Sequence, residues 1–222
     1  MPTSLVVGAN RGIGLELCRQ LAARGDRVIA ACRSPDAGHG ELHRLGAAVI
    51  GGIDVGEPGQ VAKLAAELAG TDLDQIIHNA GILTSETLDD LDFDRILAQF
   101  RVNTLGPLRV VHALLGNCKA GSKIGIVSSR VGSLGDNTSG GIYGYRMSKA
   151  AVNMAGVNLA HDLRARGIAV QLLHPGLVAT EMTGGRGIEP AEAARGLIAQ
   201  MDDLSMENTG AFRHAEGYPL PW

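Results

Sequence analysis

The sequence predicts one doubly wound α/β domain, a parallel sheet of about seven strands with helices on both faces. Three observations lead there. Short apolar runs alternate with helix-period patterns from one end of the chain to the other. Those runs are near-continuously apolar, as strands covered on both faces are. And 222 residues with no linker, repeat or low-complexity segment suffice for one substantial core, so residues 1–222 read as a single domain.

Strands are expected at Leu5–Val7, Val28–Cys32, Ala48–Ile53, Gln75–His78, Ile124–Ser128 and Ala169–His174, with Ala211–Arg213 as a last one. Between the first two, Ile13, Leu17 and Leu21 recur every four residues, and Gly25 stops the helix. Val61, Leu64, Ala65 and Leu68 give the next helical face. Phe93, Ile96, Leu97 and Phe100 open a longer helix that Gly106-Pro107 interrupts. Ala151, Ala155, Leu159 and Leu163 line another, closed by Gly167. Pro190 suits the first position of a last helix through Ala194, Leu197, Ile198 and Met201, because its missing N–H is not needed there.

Composition excludes several classes. The chain is 45% hydrophobic and 19% charged, as a soluble globular protein is, and its formal net charge of −3 offers nothing to a nucleic acid. No apolar run approaches the roughly 20 residues of a membrane helix. A strand-like run beginning by Leu5 leaves no room for a secretory signal. Cys18, Cys32 and Cys118 form no CxxC or metal-type pair and lie in or beside apolar segments, which fits reduced thiols in the cytoplasm. His161 and His174 lack ligand-spaced partners, so no metal site is expected.

Directly after the first strand, "GANRGIG" places Gly8, Gly12 and Gly14 in a turn that opens a helix near Ile13. Glycines there let the backbone bend sharply and approach a diphosphate, while the helix N-terminus offers free N–H groups and a favourable dipole. The GxxxGxG spacing differs from the commoner GxGxxG fingerprint, and glycine triplets also occur at tight turns that bind nothing. A fold reading NAD usually presents an acid near the end of the second strand. Here Cys32 and Arg33 stand in that place, and Arg11 lies within the turn. Each arginine alone would serve as a solvated surface charge. Together beside the turn they suit a 2′-phosphate, which favours NADP(H) over NAD(H).

In "GGIYGYRMSKAAVN", Tyr145 and Lys149 are four apart and share a helical face, whereas Tyr143 has Met147 at that offset. A phenol with a pKa of about 10 needs a nearby cation to work as an acid–base group near neutrality. Lys149 is placed to supply it. A YxxxK spacing is common, and an aromatic ring over an aliphatic stem explains most instances.

These segments, taken together, resemble the short-chain dehydrogenase/reductase family, in its carbonyl-reductase-like branch with the bacterial C-factor and insect sniffer proteins. The resemblance rests on "GANRGIG", "IDV" (Ile53–Val55), "NAG" (Asn79–Gly81), Asn103, "IVSS" ending at Ser129, "YRMSK" (Tyr145–Lys149) and "HPG" (His174–Gly176) with Thr180. They occur in the family's order from residue 5 to about 181. The resemblance implies a Rossmann-like fold and a small-molecule carbonyl or alcohol substrate. It makes Tyr145 the general acid/base, Ser129 a hydrogen-bond donor to the substrate oxygen, and Lys149 the partner of the nicotinamide ribose. Asn103, through a carbonyl freed by Pro107, would hold a proton-relaying water. The cofactor contacts it implies are Gly8, Asn10, Arg11, Gly12, Ile13, Gly14, Arg33, Asp54, Val55, Asn79, Ala80, Gly81, Tyr145, Lys149, Pro175, Gly176, Val178 and Thr180. Asp54 would meet the adenine amino group, Asn79 would brace the sheet, and Val178 with Thr180 would bind the carboxamide.

Some positions depart from the family pattern. Val7 replaces a frequent threonine. Sixteen residues separate Ser129 from Tyr145, longer than usual, and make Ser133 a rival; Ser129 is preferred because it ends the strand. The segment "EMTGGRGIE" after Thr180 is short and glycine-rich, which implies an open site; Met182, Leu134, Leu177 and Tyr143 are candidate walls, and plain packing explains each equally well. The reading is therefore an NADP(H)-dependent oxidoreductase. The alternative is a cofactor-binding signalling or regulatory protein with incidental turnover. The family usually forms dimers or tetramers through its two long helices, so a homodimer or homotetramer is expected. The tail ending at Trp222 packs either on a neighbouring subunit or within the chain.

Overall fold

A computed structural model describes residues 1–34 and 39–222. Seven strands form one sheet: β1 (Thr3–Val7), β2 (Arg27–Ala31), β3 (Ala48–Ile50), β4 (Leu73–His78), β5 (Cys118–Val127), β6 (Ala169–His174) and β7 (Phe212–His214). Their order is β3-β2-β1-β4-β5-β6-β7 and every neighbouring pair is parallel. The expected Rossmann-like architecture is present.

Why the strands read as unbroken apolar runs is plain from their packing. Leu5, Val7, Ile29 and Ala31 face one core with Val61, Leu64, Val110 and Val152. Val6, Val28 and Ala30 face a second with Leu17, Leu21, Ala194 and Leu197. Successive side chains point to opposite faces, and helices cover both, so no position is left for water. Each fully buried Leu, Ile or Val stabilises the fold by about 1.5–3 kcal/mol.

The helices are α1 (Gly12–Ala23), α2 (His39–Arg44), α3 (Pro58–Glu67), α4 (Phe93–Gln99), α5 (Gly106–Ala113), α6 (Tyr143–Asp162) and α7 (Pro190–Asp203). On one face α1 packs on α7; on the other α3 meets α5 and α4 meets α6. Pro190 does begin α7, and Pro107 lies in the first turn of α5.

Several boundaries depart from the sequence reading. Helix α2 was not foreseen, because its six residues carry a single buried aliphatic, Leu42, and no period. Strand β3 stops at Ile50 because Gly51-Gly52 follow, and Gly52 takes a φ of 72°. Strand β5 starts at Cys118, within a polar, glycine-bearing stretch that hides it. Strand β7 lies one residue later than expected. The long helix from Phe93 is three pieces: α4, a π-helical segment Phe100–Leu105, and α5. Its buried side differs in part: Ile96 turns inward as expected, with Gln99 beside it, while Phe93 and Leu97 are 70% and 54% exposed.

Strand order reverses between β1 and β4. At such a switch point the connections leave in opposite directions and open a crevice at the carboxyl ends of the strands. Val7 of β1 and His78 of β4 stand side by side there.

Candidate active site

The glycine turn forms the floor of that crevice. Gly8 has a φ of 83°, and a Cβ on it would lie 2.7 Å from the backbone of Ala80. On Gly14 a Cβ would stand 2.0 Å from the Gly8 carbonyl oxygen, so no side chain fits. Asn79 braces this approach by donating from Nδ2 to the Gly8 oxygen at 3.0 Å, while the Asn79 and Ala80 N–H groups both bond Val7. Asn10 and Ile13 lie on the same turn, and Gly12 opens α1 with a φ of 52° and a built Cβ 3.2 Å from Thr180. The result is a backbone cradle at a helix N-terminus, which suits a diphosphate.

Next along the crevice, a Cβ on Gly81 would sit 3.3 Å from Asn103 Oδ1 and 3.7 Å from Lys149 Nζ. Lys149, 4% exposed, donates to the Val127 carbonyl at 2.9 Å and lies 5.6 Å from the Tyr145 ring centre. Burial pulls its amine down to about 8. Burial pushes the Tyr145 phenol up to about 12, and a hydrogen bond with the Ser129 side chain pulls the other way. Ser129 follows the end of β5 and is itself buried. Ser133 is engaged elsewhere: its hydroxyl donates to the Trp222 carbonyl oxygen at 3.0 Å and accepts from the Asp136 N–H.

Asn103 lies in the π-helical segment. Its side chain accepts from the Ile82 N–H and donates to the Ile82 carbonyl, both at 2.8 Å, and donates to Ser148 Oγ at 3.0 Å. Pro107 has no N–H to offer the Asn103 carbonyl four residues back.

The far side is built from β6 and its loop. Pro175 and Gly176 leave the strand, Gly176 with a φ of 87°. Val178 is buried and bridges Ile188, and Thr180 caps a short turn in which Thr183 Oγ1 donates to the Val178 carbonyl at 2.6 Å. The 181–189 segment thus folds back on 177–179. At the opposite end Val55 packs under Gly106, while Asp54 accepts from the Gly56 N–H and stands 3.9 Å from Arg33.

Tyr145, Ser129, Lys149, Asn103, Gly81 and the glycine turn are therefore brought to one crevice. Of the two arginines, Arg11 pairs with Glu181 and Arg33 stands near Asp54. Both side chains are about two-thirds exposed, at 66% and 64%. Leu134 lines, with Met154 and Trp222, a cavity of about 260 Å³ beside α6. Trp222 packs within the chain, stacked on Phe212 at 5.5 Å.

Sequence reasoning missed three side chains around the site. Arg146 ties the long loop to α6 through the Gly140 and Val131 carbonyls and Ser139 Oγ. His78, fully buried beneath Lys149, is held down to about 3 by burial and by that neighbouring cation. Glu86 reaches the start of α6. None has a local signature, because each contact crosses between segments.

A sequence model of the short chain dehydrogenase family matches residues 2–190. The chain belongs to the short-chain dehydrogenase/reductase family. It is an oxidoreductase of that family, of the carbonyl-reductase-like kind. A Rhodococcus protein, 1-hydroxy-2-glutathionyl-2-methyl-3-butene dehydrogenase, is 48% identical over 229 aligned positions that span both chains in full. C-signal of Myxococcus xanthus is 42% identical over 154 positions, 68% of this chain and 93% of that protein. Among solved structures, an NADPH-bound carbonyl reductase from chicken fatty liver aligns with a TM-score of 0.91 at 31% identity, over 100% of this chain and 99% of its own. The carbonyl reductase Sniffer of D. melanogaster gives 0.92 at 28%, over all of both chains. Among the described residues no helix is long and apolar enough to cross a membrane, and no group of metal-ligating side chains is found.

Proposed function

We propose that this chain is an NADP(H)-dependent oxidoreductase that interconverts a small-molecule carbonyl and its alcohol, with Tyr145 as general acid/base. The observation that carries the reading is the buried Lys149 Nζ 5.6 Å from the Tyr145 ring centre, at the crevice that the glycine turn and Gly81 line. The glycine cradle and the exposed Arg11 and Arg33 suit a dinucleotide with a 2′-phosphate, and NADP-bound relatives of the same fold support that choice. When bound, the nicotinamide supplies or accepts the hydride.

The chain's own groups do the rest. Ser129 donates a hydrogen bond to the substrate oxygen and stabilises charge as it forms there. Tyr145, a phenol held protonated at neutral pH, gives its proton to that oxygen in the reductive direction and recovers it in the oxidative one. Lys149 favours the phenolate left behind and faces the ribose side of the crevice at Gly81. Asn103, with its carbonyl free of Pro107, holds a water on the path from Lys149 to solvent. Asp54, Val55, Asn79, Ala80, Pro175, Gly176, Val178 and Thr180 complete the cofactor's walls.

The chain acts as one domain in the cytoplasm, where its three buried free thiols stay reduced. Exposed Phe93, Leu97, Met147 and Met154 on α4 and α6 support pairing through these helices into a homodimer or homotetramer. A dehydrogenase as a full-length relative and an unbroken Ser129–Tyr145–Lys149 set favour the enzyme over a purely regulatory binder.

The test is absorbance at the reduced-nicotinamide band with NADPH or NADH. The panel holds dicarbonyls, quinones, simple aldehydes and, after the Rhodococcus relative's name, a glutathione-conjugated alcohol. NADPH-dependent turnover that falls by at least about 10²-fold in Tyr145→Phe is the expected result. Binding without turnover across the panel would return weight to the regulatory reading, and a preference for NADH would remove the role given to the two arginines.

A further inference from the structure

Helix α6, which carries Tyr145, starts without a cap of its own. Ile142 precedes it at φ 42° and ψ 50°, and no side chain at that position bonds the first turn. A β-branched residue in the left-handed region is strained and persists only where its surroundings hold it. A distant carboxylate does the holding. Glu86, 1% exposed, accepts the Gly144 N–H through Oε2 at 3.1 Å. Its Oε1 accepts from Gln99 Nε2 at 3.1 Å and from the Thr84 hydroxyl. Gln99 is fully buried and closes the set, donating to Thr84 Oγ1 at 2.7 Å and accepting from the Thr84 N–H at 3.2 Å. The Glu86 carboxyl is thus met by N–H and O–H donors, one of them at the positive end of α6.

Helices α4 and α6 meet closely at this point. A Cβ on Gly144 would lie 2.2 Å from Gln99 Nε2 and 3.1 Å from the Ile96 Cα. One turn further on, Ser148 receives Asn103 Nδ2 and Thr104 Oγ1, and its own hydroxyl donates to the Tyr145 carbonyl at 2.9 Å. The backbone of Tyr145 is thus held on the residue before it and again three residues after it.

We infer that Glu86 is a positioning residue for the reaction. Through the Gly144 N–H it fixes the first turn of α6, and with it the place of the Tyr145 hydroxyl against Ser129 and Lys149. The role rests on the reading in which Tyr145 transfers the proton. A misplacement of about 1 Å at a reacting group costs about 10²-fold in rate, so a loosened first turn shows in kcat before it shows elsewhere. The remote carboxylate is suited to the task because the Ile142 side chain has no polar atom to offer the first N–H groups.

The experiment compares the wild-type chain with Glu86→Ala, Glu86→Gln and Tyr145→Phe. It follows kcat and KM on the carbonyl that the wild type reduces best, NADPH affinity by fluorescence titration, and amide hydrogen exchange. Glu86→Ala should lose about 10²-fold in kcat, keep its NADPH affinity, and exchange faster over residues 144–149 alone. Glu86→Gln should recover more of the rate than Glu86→Ala, since its amide oxygen still accepts from Gly144, although its NH₂ donates to the Thr84 hydroxyl and forfeits the bond from Gln99. Should Glu86→Ala not fold, Glu86→Asp keeps the charge one methylene short of Gly144 and should show the same kcat loss.

An unchanged kcat in the Ala or Asp variant beside an inactive Tyr145→Phe would overturn the role of Glu86 alone. Faster exchange throughout the sheet with no rescue by Gln would reduce Glu86 to a stabilising contact. A wild type without turnover, or an active Tyr145→Phe, would overturn the tyrosine reading and this role with it.

Discussion

Lys149 is the costliest side chain of the site to bury. Its amine is drawn from 10.5 to about 8 by loss of solvent. Because the folded pKa is the lower one, the unfolded chain holds this proton more tightly. The penalty is therefore full below about pH 8 and fades as pH climbs toward 10.5. Lys149→Met should raise the Tm at neutral pH while removing turnover, a gain on the order of 1–3 kcal/mol once the lost bond to Val127 is counted. Melting both proteins at neutral and alkaline pH checks the sign, since the difference should shrink at the alkaline end. A lower Tm for the variant at neutral pH would refute it. At this scale the sequence was informative about spacing and silent about partners. Four residues put Tyr145 and Lys149 on one helical face whatever surrounds them. Nothing local said that Arg11 would turn to Glu181, or that Ser133 would be engaged by the Trp222 carbonyl.

Glycines decide how closely the elements of the site approach one another. Gly132 follows the end of β5, and a Cβ on it would lie 2.7 Å from the Lys149 carbonyl carbon and Cβ. Backbone cannot yield as a side-chain tip can. Gly132→Ala should destabilise by about 1–3 kcal/mol and lower kcat by moving Ser129 relative to α6. Gly59, inside α3, meets nothing within 4 Å and has no positive φ. Gly59→Ala should instead stabilise by about 0.5–1 kcal/mol, because alanine has less freedom to lose on folding. Urea midpoints for the pair test both signs, and equal effects would show that the close contact at Gly132 is not what matters. Elements with a strong period were legible, α1, α3 and α7 among them; α6 was found, but it buries Ser148, Val152, Gly156 and Ala160 while Ala151, Ala155 and Leu159 are half-buried. Helix α2 and the polar start of β5 were not, because neither carries a repeating apolar face. Helix α4 was found with Ile96 inward as expected but with Phe93 and Leu97 exposed. Its buried Gln99 serves a polar set that hydrophobic spacing does not encode.

Across the whole molecule, two histidines make the fold sensitive to acid. His78 is held down to about 3 and His174 to about 4, each first by burial. Both are neutral in the folded chain, and in the unfolded chain both take up a proton near 6.5. Their contribution is intact above about pH 6.5 and is lost as pH falls through the range down to about 4 and 3. Each group gives up roughly 1.4 kcal/mol per pH unit in its window. Urea unfolding between about pH 7 and 5 should show falling stability. His78→Asn should flatten the slope, and a wild type of constant stability over that range would exclude the effect.

The amino-acid sequence alone determined the layered α/β architecture, the parallel sheet, the glycine turn after β1 and the pairing of Tyr145 with Lys149. All of these follow from short-range pattern: apolar period, glycine at a strand end, and residues one helical turn apart. Only the tertiary structure decided that the long loop is tied down by Arg146, which face of α4 turns inward, and that Glu86 reaches Gly144 across 58 positions of chain. The reason is physical. A hydrogen bond between distant segments depends on where the sheet and helices carry them, and no local spacing records that distance.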